Sequence, residues 1–175
     1  MAIRFFIPFY TRTTPFYTLK ITYDTAKTKI EMFVPNNITT TQDLPGTLPI
    51  LKNLLPNIFT SECFNYLDTS FEKEVENTEV GHLFEHILLE YLCTTKLLYG
   101  YNDAEYSGVT KWNWNKYPRG TFSIQINAHY SDRIIFNEAL KKAIALMNII
   151  FEESSKKEYY GNYLLNPTPI YTKAL

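Results

Sequence analysis

Apolar and polar residues alternate twice within the first forty positions. Tyr17, Leu19, Ile21 and Tyr23 are separated by Thr18, Lys20 and Thr22, and Ile30, Met32 and Val34 alternate with Lys29, Glu31 and Phe33. A period of two is that of a half-buried strand. With Asp24 to Lys27 as a turn between them, the two runs predict an antiparallel hairpin. Ile3 to Tyr10 reads as a further strand. Between Pro45 and Pro56 a short helix is expected, with Thr47 as N-cap, Pro49 in its first turn and Pro56 as terminator. Phe64 to Thr78 reads as an acidic loop carrying Glu72, Glu74 and Glu76, with Glu79 just beyond. Phe122, Ile124, Ile126, Ala128 and Tyr130 alternate with polar residues, which places His129 at the end of a strand on its polar face. Asp132 then opens a last helix, with Ile135, Ala139, Ala143, Leu146 and Ile150 at core-facing spacing. From Lys156 and Lys157 the chain turns rich in Tyr and Pro, and an extended tail along the body or across a partner subunit is expected. These elements predict an α+β fold. An antiparallel or mixed sheet packs on two long helices in a single domain over 1–152, with 153–175 as a C-terminal tail.

The stretch from Thr78 to Tyr99 is the most informative. Thr78 is placed to cap a helix whose positions 83, 84, 87, 88, 89, 91 and 92 are apolar, so the helix is expected to be largely buried. Its polar side chains from 82 to 93 are His82, Glu85, His86 and Glu90, which fall on one narrow stripe at helical spacing. Inward-facing histidines and glutamates must be hydrogen-bonded, ion-paired or metal-ligated, because an unpaired buried charge costs several kcal/mol. Three readings compete. Imidazoles at i and i+4 can hold one zinc or another divalent ion, with Glu85 activating a bound water; His82-Leu-Phe-Glu85-His86 matches the inverted zinc-peptidase signature His-x-x-Glu-His. The stripe can instead be a satisfied polar edge. The third reading is acid–base chemistry without metal. A catalytic zinc takes three protein ligands, and His129, the only histidine besides His82 and His86, is the expected third, with Glu90 the in-helix alternative.

Composition narrows the function classes. The chain has 175 residues, 45% hydrophobic and 16% aromatic, enough for one core and not for two comfortable ones. A formal net charge of −1 gives no global field toward nucleic acid or an anionic bilayer. Met1 to Tyr10 is interrupted by Arg4 and Pro8 and is expected to be strand rather than signal peptide, and no apolar run reaches the length of about 18 residues of a membrane span. Cys63 and Cys93 read as reduced thiols packed as small hydrophobes, so a cytoplasmic location is expected. Trp112, Trp114 and Tyr117 precede Pro118-Arg119-Gly120. The aromatics either stack on substrate guanidinium groups, with Arg119 holding a substrate carboxylate, or pack beneath a loop. Gly81, poor helix material, is expected to let another backbone close on the helix.

Leu44-Pro-Gly, Leu54-Leu-Pro, Cys63 and Glu79-Val-Gly81-His82-Leu-Phe-Glu85-His86-Ile-Leu-Leu-Glu90 together resemble the N-terminal domain of cyanophycin synthetase, as does the run from Gly120 to Met147. The resemblance covers roughly residues 44 to 150, and its Gly-His-x-x-Glu-His-x-x-x-Glu string is the specific part. The family's ATP-grasp and Mur-ligase-like domains do not follow, so a free-standing relative without polymerising machinery is expected. The resemblance implies binding of a polymer with an aspartate backbone and β-linked arginine. It also implies, as in some members, hydrolysis of that polymer through a metallopeptidase-like site, with His82 and His86 as ligands and Glu85 as general base. Two departures bear on this. The family pattern places a glutamate at the position of His129 and a histidine before the Cys63 position, where this chain has Ser61. The leading expectation is therefore a metal-dependent hydrolase of a peptide or isopeptide bond, in cyanophycin or β-Asp-Arg peptides. The alternative is a non-catalytic module that binds the polymer or arginine-rich peptides. A second copy of the chain, or a separately encoded ligase met through the aromatic tail, is the candidate protein partner.

Overall fold

The computed structural model describes residues 9–63 and 69–165, with side chains through Lys156. Five antiparallel strands form one sheet: β1 (Phe9–Thr13), β2 (Thr18–Tyr23), β3 (Thr28–Phe33), β4 (Gly108–Lys111) and β5 (Thr121–Ile126), in the order β1-β2-β3-β5-β4. The hairpin read from the alternating runs is β2–β3, with Ile21 opposite Ile30 and Leu19 opposite Met32. β1 lies over the end of the predicted first strand and runs three residues beyond it, while residues 3–8 of that prediction lie outside the described residues. Among the described residues there are four α-helices, α1 (Thr47–Leu54), α2 (Phe71–Glu74), α3 (Val80–Leu98) and α4 (Arg133–Leu165). The α+β architecture with two long helices is thus as the pattern predicts.

One face of the sheet carries the core. Leu19, Ile21, Ile30, Met32, Phe122 and Ile124 are fully buried beneath Leu83, Phe84, Ile87 and Leu88 of α3 and Phe136, Ala139 and Met147 of α4. Burial at about 25 cal/mol per Å² of apolar surface makes this face, rather than any ion pair, the main source of stability; the five ion pairs among the described residues all join partly exposed side chains. The opposite face is polar, with Lys20, Glu31 and Ser123 directed to solvent.

Three local expectations are corrected. Thr47 is the first residue of α1 and Gly46 precedes it as the cap; the Thr47 hydroxyl donates backward to the Leu44 carbonyl. Thr78 does not cap α3, which starts one residue later behind Glu79. The first amide of α3, Val80, is satisfied by the Thr39 carbonyl at 2.9 Å, and the Thr41 amide donates to the Thr78 carbonyl at 2.8 Å, so residues 39–41 clamp the start of the helix without a side-chain cap. Finally, residues 153–165 are helical, not extended. No glycine or proline interrupts the chain before Gly161, Glu153 pairs with Lys156 at 2.7 Å, and the buried Ser154 accepts the Gly46 amide at 3.3 Å, so the body continues past residue 152. Pro167 and Pro169 lie outside the described residues.

Just beyond its C-cap Tyr99, α3 is closed by Gly100, whose φ of +85° allows the Gly100 amide to reach the Leu97 carbonyl and the Tyr101 amide the Lys96 carbonyl. Among the described residues no helix is long and apolar enough to cross a membrane.

Candidate metal centre and its cavity

Three side chains converge at the first turns of α3. His82 Nε2 and His86 Nε2 are 3.2 Å apart, and Cys63 Sγ lies 3.7 Å from His82 Nε2. The three ligand atoms fall within 4.8 Å of one another, so Cys63, His82 and His86 form a group that could hold a metal ion. A tetrahedral zinc with bonds of about 2.05 Å to nitrogen and about 2.3 Å to sulfur separates two nitrogens by about 3.3 Å and a nitrogen and a sulfur by about 3.6 Å. The His82–His86 and Cys63–His82 spacings match that geometry, and the ligand atoms of Cys63 and His86 lie within 4.8 Å of each other. The His82–His86 contact is satisfied either by an Nε2–H of one ring donating to the other or by a cation between the two nitrogens.

The neighbours orient the two rings. His82 Nδ1 is 2.8 Å from Thr78 Oγ1, and if Nδ1 carries the proton it donates to that hydroxyl and leaves Nε2 free to ligate. Thr78 therefore serves the imidazole where sequence reasoning gave it the helix. The fully buried Phe71 of α2 stacks on His86, with ring centroids 3.9 Å apart and planes 16° from parallel, and meets His82 edge-on. His86 Nδ1 is buried without a partner. Burial, with His82 beside it, pushes the His86 pKa down to about 3; burial also lowers that of His82, opposed by the Glu74 carboxylate. Both rings are thus neutral near pH 7, the form that binds metal.

Glu85 leaves α3 toward β4, where the Thr110 hydroxyl donates to it. It is 5% exposed, and burial raises its pKa to about 6 against the lowering effect of the Thr110 bond. The approach is close because residue 108 is glycine: a Cβ there would stand 2.7 Å from Glu85 Oε1.

His82, Glu85, His86, Gly108 and Thr110 line a cavity of about 800 Å³ that also takes in Glu62, Glu74, Glu79, Glu90, Glu105 and Trp112. Among the described residues, no lysine or arginine lines it. The acidic stretch before α3 is therefore divided: Glu74 and Glu79 face the cavity, whereas Glu72 is a surface residue paired with Lys52 at 3.0 Å.

The other expected site residues lie as follows. His129 is exposed and outside the cavity, and its amide donates to Asp132 at the turn into α4. Strand parity explains it: Phe122, Ile124, Ile126 and Ala128 face the helices, which turns the odd-numbered His129 to the other side. Glu90 lines the cavity one turn beyond His86 but is not among the three converging ligands. Trp112 reaches the cavity; Trp114 and Arg119 do not. Arg119 lies over the Trp114 ring at 4.8 Å and donates to the Asn36 carbonyl and to Thr39 Oγ1, so its guanidinium is engaged within its own chain. Gly81 is closed upon by the side chain of Phe122, not by a backbone, with a Cβ at Gly81 placed 2.5 Å from the ring. Cys63, Thr78 and Thr110 were not assigned site roles by sequence reasoning. Cys63 carried one signal, its place in the resembling stretch, but a lone cysteine has no spacing to mark it as a ligand.

No family model matches the chain, and no curated protein matches it.

Proposed function

We propose that the protein is a zinc-dependent hydrolase of a peptide or isopeptide bond, with Cys63, His82 and His86 as ligands in place of the expected His129. The observation that carries this reading is the convergence of two Nε2 atoms and one Sγ at metal-ligand spacing one residue from a buried carboxylate. Bound zinc supplies Lewis acidity, which lowers the pKa of water and polarises a scissile carbonyl. Glu85 takes a proton from the attacking water and returns it to the leaving amine, and its raised proton affinity suits that transfer near neutral pH. Thr110 fixes the carboxylate, and Thr78 fixes the His82 ring. The five further glutamates of the cavity support a substrate bearing cationic side chains, as in cyanophycin or β-Asp-Arg peptides.

The acidic lining favours a second reading on its own account: a non-catalytic module that captures arginine-rich polymer. Glu85→Gln separates the two. In protein purified without a metal-binding tag, the hydrolase should carry close to one zinc per chain, lost in His82→Ala/His86→Ala. Glu85→Gln should keep the zinc while cleavage of β-aspartyl-arginine polymer falls by roughly 10²–10⁴-fold. Absence of zinc even after it is offered would rule out the hydrolase, and binding undiminished in Glu85→Gln without any parental cleavage would establish the module.

A further inference from the structure

The sheet stops at β4, and the phase of the ladder determines which backbone groups that strand leaves over. In an antiparallel pair, residues alternate between exchanging both backbone bonds with the residue opposite and turning both groups away. The register Gly108↔Ile126 sets Ser107 opposite Asn127, and the Asn127 amide donates to the Ser107 carbonyl at 3.0 Å, so these two form a bonded pair. Counting along the strand, Val109 and Lys111 also bond β5, while Gly108 and Thr110 turn their N–H and C=O groups outward. The far side of β5 gives the same phase: the Val34 amide donates to the Gly120 carbonyl at 2.9 Å, which commits Phe122, Ile124 and Ile126 to β3 and leaves Ser123 and Gln125 for β4. Among the described residues no strand pairs with the outer edge of β4.

The Thr110 side chain, and the Cα–H of Gly108 where a Cβ would stand, face Glu85 of α3. Thr110 donates to Glu85, and the missing side chain of Gly108 is what admits Glu85 Oε1. The outward backbone groups therefore sit beside the carboxylate, on a wall of the cavity lined by His82, Glu85 and His86. Two residues of strand span about 6.6–6.8 Å, the repeat at which an extended peptide presents its own alternate N–H and C=O groups.

We propose that the free edge of β4 is the docking strand for an extended peptide, which joins the sheet as a sixth strand through the backbone of Gly108 and Thr110. Recognition by this edge is independent of side-chain identity, because the bonds are made by main chain. Alternate side chains of the docked segment then enter the acidic cavity, and those between them point away from it. The consequence for cleavage rests on the hydrolase reading; the docking itself does not.

The test uses zinc-supplemented full-length Glu85→Gln protein, so that no turnover intervenes, with decalysine as probe and a decalysine N-methylated at every peptide bond as its equally charged control. Saturating decalysine should slow amide exchange at Gly108 and Thr110 at least tenfold and leave Val109 and Lys111, already bonded to β5, unchanged. The N-methylated control should bind at least tenfold more weakly. Equal affinity of the two peptides, unaltered exchange at Gly108 and Thr110, or failure of decalysine to bind would each overturn the proposal. Zinc content and Glu85-dependent turnover, measured apart, decide the hydrolase reading whatever the peptides do.

Discussion

Gly81 shows two effects of opposite sign at one position. Alanine there gains about 1 kcal/mol of helix propensity. It also sets a Cβ 2.5–2.7 Å from Phe122 Cγ, Cβ and Cδ1, the base of a fully buried side chain that cannot swing aside. Overpacking of that kind costs about 1–3 kcal/mol and outweighs the gain. We therefore expect Gly81→Ala to be destabilised by about 1 kcal/mol in urea unfolding; unchanged or higher stability would mean that α3 and β5 move apart easily. Thr78 gives a cleaner separation of roles. Its hydroxyl meets His82 and does not cap the helix, so Thr78→Val should weaken zinc binding by roughly 10–100-fold while unfolding midpoints of the metal-free protein stay close to the parent. A large loss of metal-free stability with zinc affinity intact would assign the hydroxyl to the fold instead.

At the scale of elements, the segment between β4 and β5 shows which of two open readings its side chains favour. Arg119 stacks on Trp114 and bonds Asn36 and Thr39, so it ties this segment to the chain that follows β3. Arg119→Met should lower stability by about 1 kcal/mol through the lost cation–π contact and leave the KM for a peptide substrate within twofold of the parent; a large rise in KM would restore Arg119 to substrate binding. The elements that sequence revealed are those with several periods of pattern. β2, β3, β5, α3 and α4 each bury one face, and alternation or helical spacing reports that directly. β4 escaped because four residues opening on glycine, with Val109 half-exposed, carry no alternation to read. α2 escaped for a like reason: a single turn whose one buried side chain, Phe71, acts by stacking beneath His86. His82, Glu85 and His86 were legible because their spacing is local to one helix. The place of Cys63 beside them was not, since what brings Cys63 to His82 is the path of the chain across elements, and strand parity, visible in the sequence, already argued against His129.

For the molecule as a whole, the three candidate ligands lie between residues 63 and 86, whereas the pairing of β3 with β5 joins residues 33 and 121. Closing the shorter loop costs about 1 kcal/mol less chain entropy. A cation that binds this local stretch can therefore gather it before the sheet is complete, giving the metal an influence on the order of assembly as well as on the finished site. Refolding from urea should be several-fold faster with equimolar zinc than with chelator, and the difference should vanish in Cys63→Ser/His86→Ala; equal rates in the parent would mean that the ion is captured only after the chain has closed. In a cell, such a dependence would make the supply of the ion during synthesis a determinant of how long the sheet edges stay open to misassociation, so metal starvation would lower the yield of folded chains and not only the fraction that is active.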